Sequence, residues 1–564
     1  MKNWIKIDQP IIDEVNSLQM DLKIPHFICS LLLQRGVNSL DKAKFFFRPE
    51  LDSLHDPFLM KDMDKAIDRI NNASSEKIMI LGDYDVDGTT STSMLYTYFN
   101  HRNYDLVYYI PDRYKEGYGV SLESIDYAKD NNISLIITVD CGIKALNQVE
   151  YANSKGIDII ICDHHLPDIK VPKAFAVLNP KQSDCAYPFK DLCGCGIAYK
   201  LITAHNLKSE NKLNIRSLLD FVALATVSDM MPLIDENRVM VFHGLKEINN
   251  NPRLGLRNFL KSNNNKVDES KISFNIGPRI NAAGRMKNGK IIVDLLVEED
   301  PNKAMSLSNE VEYLNLKRRA TEKDVFENVV ENIDHSKYSN IIYGQNWSTG
   351  VLGIVASRII EKSYKPTIII TDFDKELLTG SVRSVSGFDV YDALVKCEKY
   401  LHQFGGHKFA AGLKIEKSKL NLFSELFEKT VKETVNGNMF ERQHKYDLEV
   451  SFSDLTIENV KIISRMSPFG LENKRPVFRS DDCKIIDDLK FVGKESQIVK
   501  SYVMDSSNTK LPFISFSKKD ELVNLKSSFD ILFTTSINSY SGEEQVEIII
   551  KEIAQIKNPA EAGF

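Results

Sequence analysis

Three aspartates, Asp83, Asp85 and Asp87, fall within five positions of the segment KIMILGDYDVDGTTSTSM, residues 77–94. Carboxylates this close repel one another and lose hydration if buried, so the spacing calls for a cation among them. Further along, SLIITVDCG reaches Asp140, IDIIICDHH ends on Asp163, His164 and His165, and LATVSDM places Asp229 after an apolar run. A calcium-loop reading of DYDVDG fails. The twelfth position counted from Asp83 is Met94, where such a loop needs a bidentate glutamate, and the residues before it read as a strand. A single Asp after a strand is more often a helix cap or turn former, and a His pair more often a structural pair. Recurrence of such groups after separate apolar runs favours a divalent-metal centre. Carboxylates with imidazole and no thiolate suit manganese or magnesium better than structural zinc. So many carboxylates suit two ions, the arrangement that clamps a phosphorus centre for in-line hydrolysis.

The elements that must position these groups are short β-rich runs, KIMIL, LVYYI, SLIITV, IDIIIC and AFAVLN, separated by amphipathic stretches from residue 77 onward. That rhythm predicts an α/β fold with a parallel sheet covered by helices, whose ligands gather at the carboxyl ends of the strands. Residues 1–75 read as a helical segment, and a mostly helical stretch runs from about Gly194 to Asp235. Asn309 to Ile333, with no Gly or Pro, reads as a long helix connecting two lobes. A second β/α region follows, and then short alternating runs, KSYVMD, LPFISF, DILFTT and QVEIII, that predict a small β-barrel of the oligonucleotide-binding type.

At 564 residues the chain suggests several domains, and 43% hydrophobic with 27% charged residues is the composition of a water-soluble protein. The start, MKNWIKIDQP, lacks the apolar core of a signal peptide, and no stretch reaches the roughly 18 apolar residues of a membrane span, so a cytoplasmic location with no membrane partner is expected. A net charge of -6 argues on its face against nucleic acid, but bound divalent ions would return much of that charge, so local basic surface weighs more. Among eight scattered cysteines, Cys193 and Cys195 in DLCGCG form the one close pair, and reduced thiols are the plainer reading than a metal site.

DYDVDG, TVDCG, DHH and ATVSD together resemble the four motifs of the DHH phosphoesterase superfamily. PDRYKEGYG (111–119), LCGCGIAYKL (192–201), GPRINAAGR (277–285), GVLGIVASR (350–358), GSVRSVSGFDV (380–390) and FGGHKFAAGL (404–413) extend the likeness to its bacterial single-strand-specific exonucleases. PFGLENKRPVF (468–478) carries it into the C-terminal barrel, and the match covers about 75 to 556. Ser348 and Thr349 stand where the family usually has His-Pro, and Glu472 where Gly is more usual.

The resemblance implies a catalytic DHH domain over 76–305, a connecting helix over 306–335, a smaller α/β DHHA1 substrate-binding domain over 336–440 and an OB-like domain over 441–564. It implies two Mn2+ ions, with Mg2+ as the alternative. Asp87, Asp140, His164 and Asp229 would hold one ion and Asp83 with Asp85 the other, Asp140 bridging. Asp163 and His165 would face the phosphate or orient the ligands. Arg113, Arg279, Arg285, Arg383, Ser381, Gly405, Gly406 and His407 would meet the nucleic acid, with Ser381 and Arg383 gripping a terminal phosphate. The implied activity is 5′-to-3′ hydrolysis of single-stranded DNA to 5′-mononucleotides in repair and recombination, by a monomer supplied by a single-strand-binding protein and a helicase. In the barrel, Phe491, Tyr502 and Tyr540 are candidates for base stacking, though core packing explains them as well. Two other classes compete. A phosphatase or oligoribonuclease of small nucleotides would lack the barrel, and a non-catalytic scaffold would have lost metal ligands, all of which this chain keeps.

Overall fold

The isoleucine-rich runs form strands because β-branched side chains fit a pleated surface buried on both faces. In the computed structural model, which describes residues 3–260, 266–435, 439–493, 496–525, 527–539 and 542–555, five of them make one sheet. These are β1 (Lys77–Gly82), β2 (Asp105–Tyr109), β3 (Ile133–Val139), β4 (Asp158–Cys162) and β5 (Ala176–Leu178), with α1 (Val86–Asn100) following β1. The order is β2-β1-β3-β4-β5 and every pair is parallel. Chain order therefore reverses between β1 and β3, the switch point where connections diverge and leave a crevice at the strand ends. Asp83 follows β1 and Asp140 follows β3, so the fold brings these two acidic motifs to that crevice.

One face of the sheet packs Ile80, Leu135 and Ile137 against Met94 of α1, Ile197 and Leu201 of α2 (Gly194–Lys208), and Phe221 and Leu224 of α3 (Leu219–Ser228). The other face packs Leu81, Ile136 and Ile159 against Ile125 and Val149. Further helices of the lobe include α4 (Asp235–Asn250) and α5 (Gly277–Met286).

The expected long helix is α6 (Pro301–Glu331), capped by Asp300, whose carboxylate accepts from the N–H groups of Asn302 and Lys303. Beyond it lies a mixed sheet. Its members are β6 (Asn340–Tyr343), β7 (Thr367–Asp372), β8 (Leu377–Arg383), β9 (Leu401–His407) and β10 (Ala410–Glu416), with α7 (Leu352–Lys362) between β6 and β7. The order is β9-β10-β8-β7-β6, and only β6 and β7 run parallel. FGGHKFAAGL forms the β9–β10 hairpin, with Gly405 opposite Gly412.

At the C-terminus, strands Phe478–Ile485, Ile498–Met504, Lys510–Ser515, Phe529–Asn538 and Gln545–Gln555 pair in a ring that closes where Lys484 meets Met504 and Ile485 meets Val503. The N-terminal segment divides between two units. Trp4–Lys6 pairs in parallel with His444–Tyr446, and Val15, Leu18, Leu31 and Leu32 share a core with Phe452, Phe478 and Phe533 of the barrel unit. Met60, Met63, Ile67 and Ile70 instead enter the core of the parallel sheet. Buried Arg238 of α4 ties these parts together, donating to the carbonyls of Phe46 at 2.9 Å and Ser467 at 3.1 Å. Glu472 adopts φ 61° in a turn, a left-handed conformation that glycine reaches at lower cost. Among the described residues no helix is long and apolar enough to cross a membrane.

Candidate metal centre

Three of the acidic motifs arrive on strand ends and the fourth on a helix end, because Asp229 is the residue that terminates α3. That helix falls within the mostly helical stretch expected from about Gly194 to Asp235. His164 marks the middle of the cluster. Its Nε2 stands 3.1 Å from Asp140 Oδ1, 3.7 Å from Asp229 Oδ2 and 3.8 Å from Asp87 Oδ2. The shortest of these approaches lacks hydrogen-bond geometry, for Asp140 Oδ1 has no partner, nor has Asp83 Oδ1. Ligand atoms of Asp87, His164 and Asp229 lie within 4.8 Å of one another, and so do those of Asp83, Asp85 and Asp140. The two sets meet at Asp140, whose side chain reaches both His164 and the first aspartates.

The chemistry of these groups fits a pair of divalent cations. Burial, then the charge of Asp85, pushes Asp83 well above the usual carboxylate range; burial, then Asp87 and its neighbours, does the same to Asp140. Asp87 is pushed up to about 7 by burial and Asp85. Asp229 stands at the mouth with about a third of its side chain exposed, so solvent offsets part of the burial and carboxylate repulsion that raise it to about 8. Burial, then His165, lowers His164 to about 3, leaving the neutral imidazole that a metal requires. Such carboxylates are poorly stable as free anions and become well placed once cations are among them.

A pH dependence follows. Groups whose folded pKa lies above the unfolded value stabilise the protein while protonated, and that contribution is lost as pH rises through the folded pKa. Metal-free protein should therefore lose thermal stability from about pH 5 to about pH 8, the window set by Asp87 and Asp229. Added Mn2+ should restore it, most strongly at the alkaline end where fewer protons compete. Melting curves at four pH values with and without Mn2+ check this; a Mn2+ shift that does not grow with pH would contradict it.

Asp163 plays another part. Its Oδ2 accepts from the N–H of Ile143 at 2.9 Å, and its Oδ1 from the N–H of His165 at 3.1 Å and from Nδ1 at 2.7 Å. Burial opposes its ionisation, but His165 and these donors outweigh it and hold the carboxyl below its usual range. With both oxygens committed, Asp163 orients the His165 ring, whose Nε2 lies 3.4 Å from the Tyr118 hydroxyl.

Sequence reasoning missed the support of Asp87. Backbone N–H groups of Gly194 and Cys195, at the start of α2, each donate to its carboxylate at 2.7 Å. The DLCGCG motif is thus a helix start that holds a ligand, and both thiols are buried beside Thr226 and Met94. Tyr118 was also missed. Its hydroxyl donates to the carbonyl of Asp140 at 2.8 Å, bracing a residue held at φ 59°.

A cavity of about 630 Å³ opens beside the metal cluster, lined by Tyr118, His164, His165 and Lys181 on one side and by Gly406 and His407 of the β9–β10 hairpin on the other. Gly405 has open space where a side chain would point, whereas a Cβ on Gly406 would strike Ala410 O at 2.4 Å. Arg113, Arg285 and Arg383 gather nearby. Burial and then the charges of Arg113, Arg318 and Arg383 depress Arg285 to about 10, and burial and then Arg113 depress Arg383. Among the described residues none of the three has a carboxylate within 4.0 Å. Arg383 Nη1 donates to Ser381 Oγ at 3.1 Å. Arg279 is not brought into this group: its Nε donates to Glu312 at 2.6 Å and its Nη1 to the Asn275 carbonyl at 2.9 Å. In the barrel, Lys519 stands 5.0 Å from the ring centre of exposed Phe491 and Lys510 stands 4.1 Å from that of Tyr502. Tyr540 lies outside the described residues.

A twofold set of carboxylates at the switch point of a parallel sheet, facing a smaller mixed-sheet domain, defines a DHH-type phosphoesterase. Residues 77–226 match the DHH family N-terminal domain, 335–433 the DHHA1 domain and 446–552 the RecJ OB domain. The chain is 34% identical over 560 residues to the single-stranded-DNA-specific exonuclease RecJ of Bacillus subtilis, covering 97% of this chain and 70% of that one. It belongs to the RecJ family of single-stranded-DNA-specific exonucleases. The crystal structure of RecJ from Thermus thermophilus in complex with Mn2+ shares the fold, with a TM-score of 0.85 at 22% identity over 99% of this chain and 80% of that one. A manganese-bound exonuclease RecJ superposes with a TM-score of 0.60 at 28% identity, covering 68% of this chain and 96% of that one.

Proposed function

We propose that this protein degrades single-stranded DNA from the 5′ end, releasing 5′-mononucleotides by two-metal phosphodiester hydrolysis. What carries the reading is the meeting of two ligand sets at Asp140 beside a cavity walled by the GGH hairpin. The single-stranded-DNA-specific activity of the Bacillus subtilis relative and the manganese-bound relative support it. Asp87, Asp140, His164 and Asp229 would hold one Mn2+, and Asp83 and Asp85, together with Asp140, the other; Mg2+ is the alternative ion. When bound, the pair supplies an activated water and charge neutralisation for in-line attack at phosphorus. His165, oriented by Asp163, donates a hydrogen bond to the scissile phosphate. Gly405, Gly406 and His407 let the strand backbone approach the cluster closely.

Polarity comes from the arginine group. Arg113, Arg285 and Arg383, with Ser381, have guanidinium and hydroxyl donors but, among the described residues, no carboxylate partner, which suits a terminal phosphate dianion. The α7 N-terminus adds backbone donors, since Gly350 lies against Arg285 and Gly353 against Arg383 and Ser381. A strand end fixed there presents its first phosphodiester to the metals. The reading extends to a cytoplasmic monomer acting in repair and recombination, with a helicase and a single-strand-binding protein supplying the strand.

The test uses 3′-end-labelled single-stranded DNA with Mn2+ beside a duplex of the same sequence. A ladder of progressively shorter labelled products on the single strand alone is expected. Immediate release of labelled mononucleotide would reverse the polarity. Hydrolysis of a dinucleotide without cleavage of long DNA would move the protein to the small-nucleotide branch.

A further inference from the structure

The connecting helix carries a buried ionic arrangement that the hydrolytic chemistry does not use. Arg318 and Glu322 are both buried on α6. Glu322 divides its two oxygens between two cations: Oε2 accepts from Arg318 Nη1 at 2.7 Å, and Oε1 accepts from Arg358 Nη1 at 2.9 Å. Arg358 belongs to α7, in the other domain, and its guanidinium covers the Phe326 ring of α6 at 4.0 Å. Arg318 also donates through Nη2 to Asn315 Oδ1 at 2.9 Å. One carboxylate therefore joins α6 to α7.

The far end of α7 leads into the arginine group. A Cβ on Gly350 would lie 2.7 Å from Arg285 O and from Tyr114 Oη, and one on Gly353 would lie 2.6 Å from Arg383 Nη2 and 3.0 Å from Ser381 Oγ. Arg285 Nη1 donates to the Gly350 carbonyl at 2.9 Å. Gly353 and Arg358 are five residues apart, about 7.5 Å along a helix, so a tie at one fixes the height of the other. Such contacts leave no slack, and three guanidiniums that repel one another would otherwise spread this end of the cleft.

We infer that Glu322 is a positioning residue for the terminal-phosphate pocket. By holding Arg358 it sets α7 in register, so that Ser381 and Arg383 from one domain and Arg113 and Arg285 from the other close on the same phosphate. The inference rests on the proposed reading of that pocket as the 5′-phosphate site.

The test compares KM and kcat of the full-length protein on 5′-phosphorylated and 5′-hydroxyl oligonucleotides of one sequence. Arg358→Met is the main variant, because that side chain is 41% exposed and methionine keeps the apolar cover over Phe326; Glu322→Gln and the double variant accompany it. On the 5′-phosphorylated strand KM should rise about tenfold with kcat within about twofold, the pattern of lost binding rather than lost chemistry. KM on the 5′-hydroxyl strand should not move, and the double variant should be no worse than the worse single one. If the unmodified protein prefers the phosphorylated end and both variants keep that preference, the positioning role is wrong. If the unmodified protein shows no preference, the phosphate-pocket reading fails and takes this inference with it.

Discussion

Asp140→Asn should reduce kcat/KM on single-stranded DNA by at least about 10³-fold, roughly 4 kcal/mol of transition-state stabilisation, while the metal-free protein melts no lower than before. Asparagine is the informative replacement because Asp140 sits at φ 59°, a left-handed conformation that asparagine accepts and alanine resists. The substitution keeps the shape and removes the charge. Asp140 stands between the two ligand sets, so losing it weakens both ions at once. It is also fully buried among Asp83, Asp85, Asp87 and Asp229, whose repulsion it shares when no cation is present. Removing that charge relieves the metal-free fold. Activity and metal-free melting temperature should thus move apart, and a drop in both would mean that Asp140 is mainly a structural residue.

Gly194→Ala should cost at least about 10²-fold in activity, with Mn2+ affinity falling about 10–100-fold, the range seen when groups supporting a metal ligand are disturbed. A methyl group there would lie 2.8 Å from Asp140 Cβ, 2.9 Å from Asp140 Cα and 3.1 Å from Asp87 Oδ2. The first two are the Cβ and backbone of Asp140, and the Asp87 carboxylate is itself held by two N–H groups. The start of α2 must withdraw, and with it the N–H groups that hold Asp87 at 2.7 Å. Gly196→Ala is the control, since its methyl would meet two Leu192 carbons at 3.4 Å, which is ordinary contact, and should leave Mn2+ affinity within about twofold. Metal titration and single-strand hydrolysis on both variants decide the matter. Equal behaviour of the two would show that the helix start is not what holds the ligand.

The metal centre was readable because its ligands are side chains that follow buried apolar runs, and strand ends of a parallel sheet meet at a switch point whatever the sequence between them. Asp83, Asp85, Asp87, Asp140 and His164 arrive at one place for that reason, and Asp229 joins them from the end of α3. What supports them was less readable. The donors to Asp87 are backbone N–H groups, which have no side-chain identity, so DLCGCG drew notice for its thiols instead. The helix that delivers Asp229 is buried all round, and it lies within the stretch of about 194–235 expected to be helical. Arg279 and Arg285 occupy one helix, yet the first meets Glu312 while the second donates to the Gly350 carbonyl; the sequence motif does not distinguish them because Glu312 is on another helix. The union of residues 15–32 with the barrel at the far end of the chain is likewise a matter of packing between surfaces that each look merely amphipathic. Long-range pairing of that kind leaves no local signal.

The account stands on two cations sharing Asp140, and the most direct measurement is an anomalous difference map recorded at the manganese edge from crystals grown with Mn2+. Two peaks about 4 Å apart, one among Asp87, His164 and Asp229 and the other beside Asp83 and Asp85, with Asp140 touching both, is the expected result. A single peak, or two peaks with Asp140 bound to neither, would contradict it.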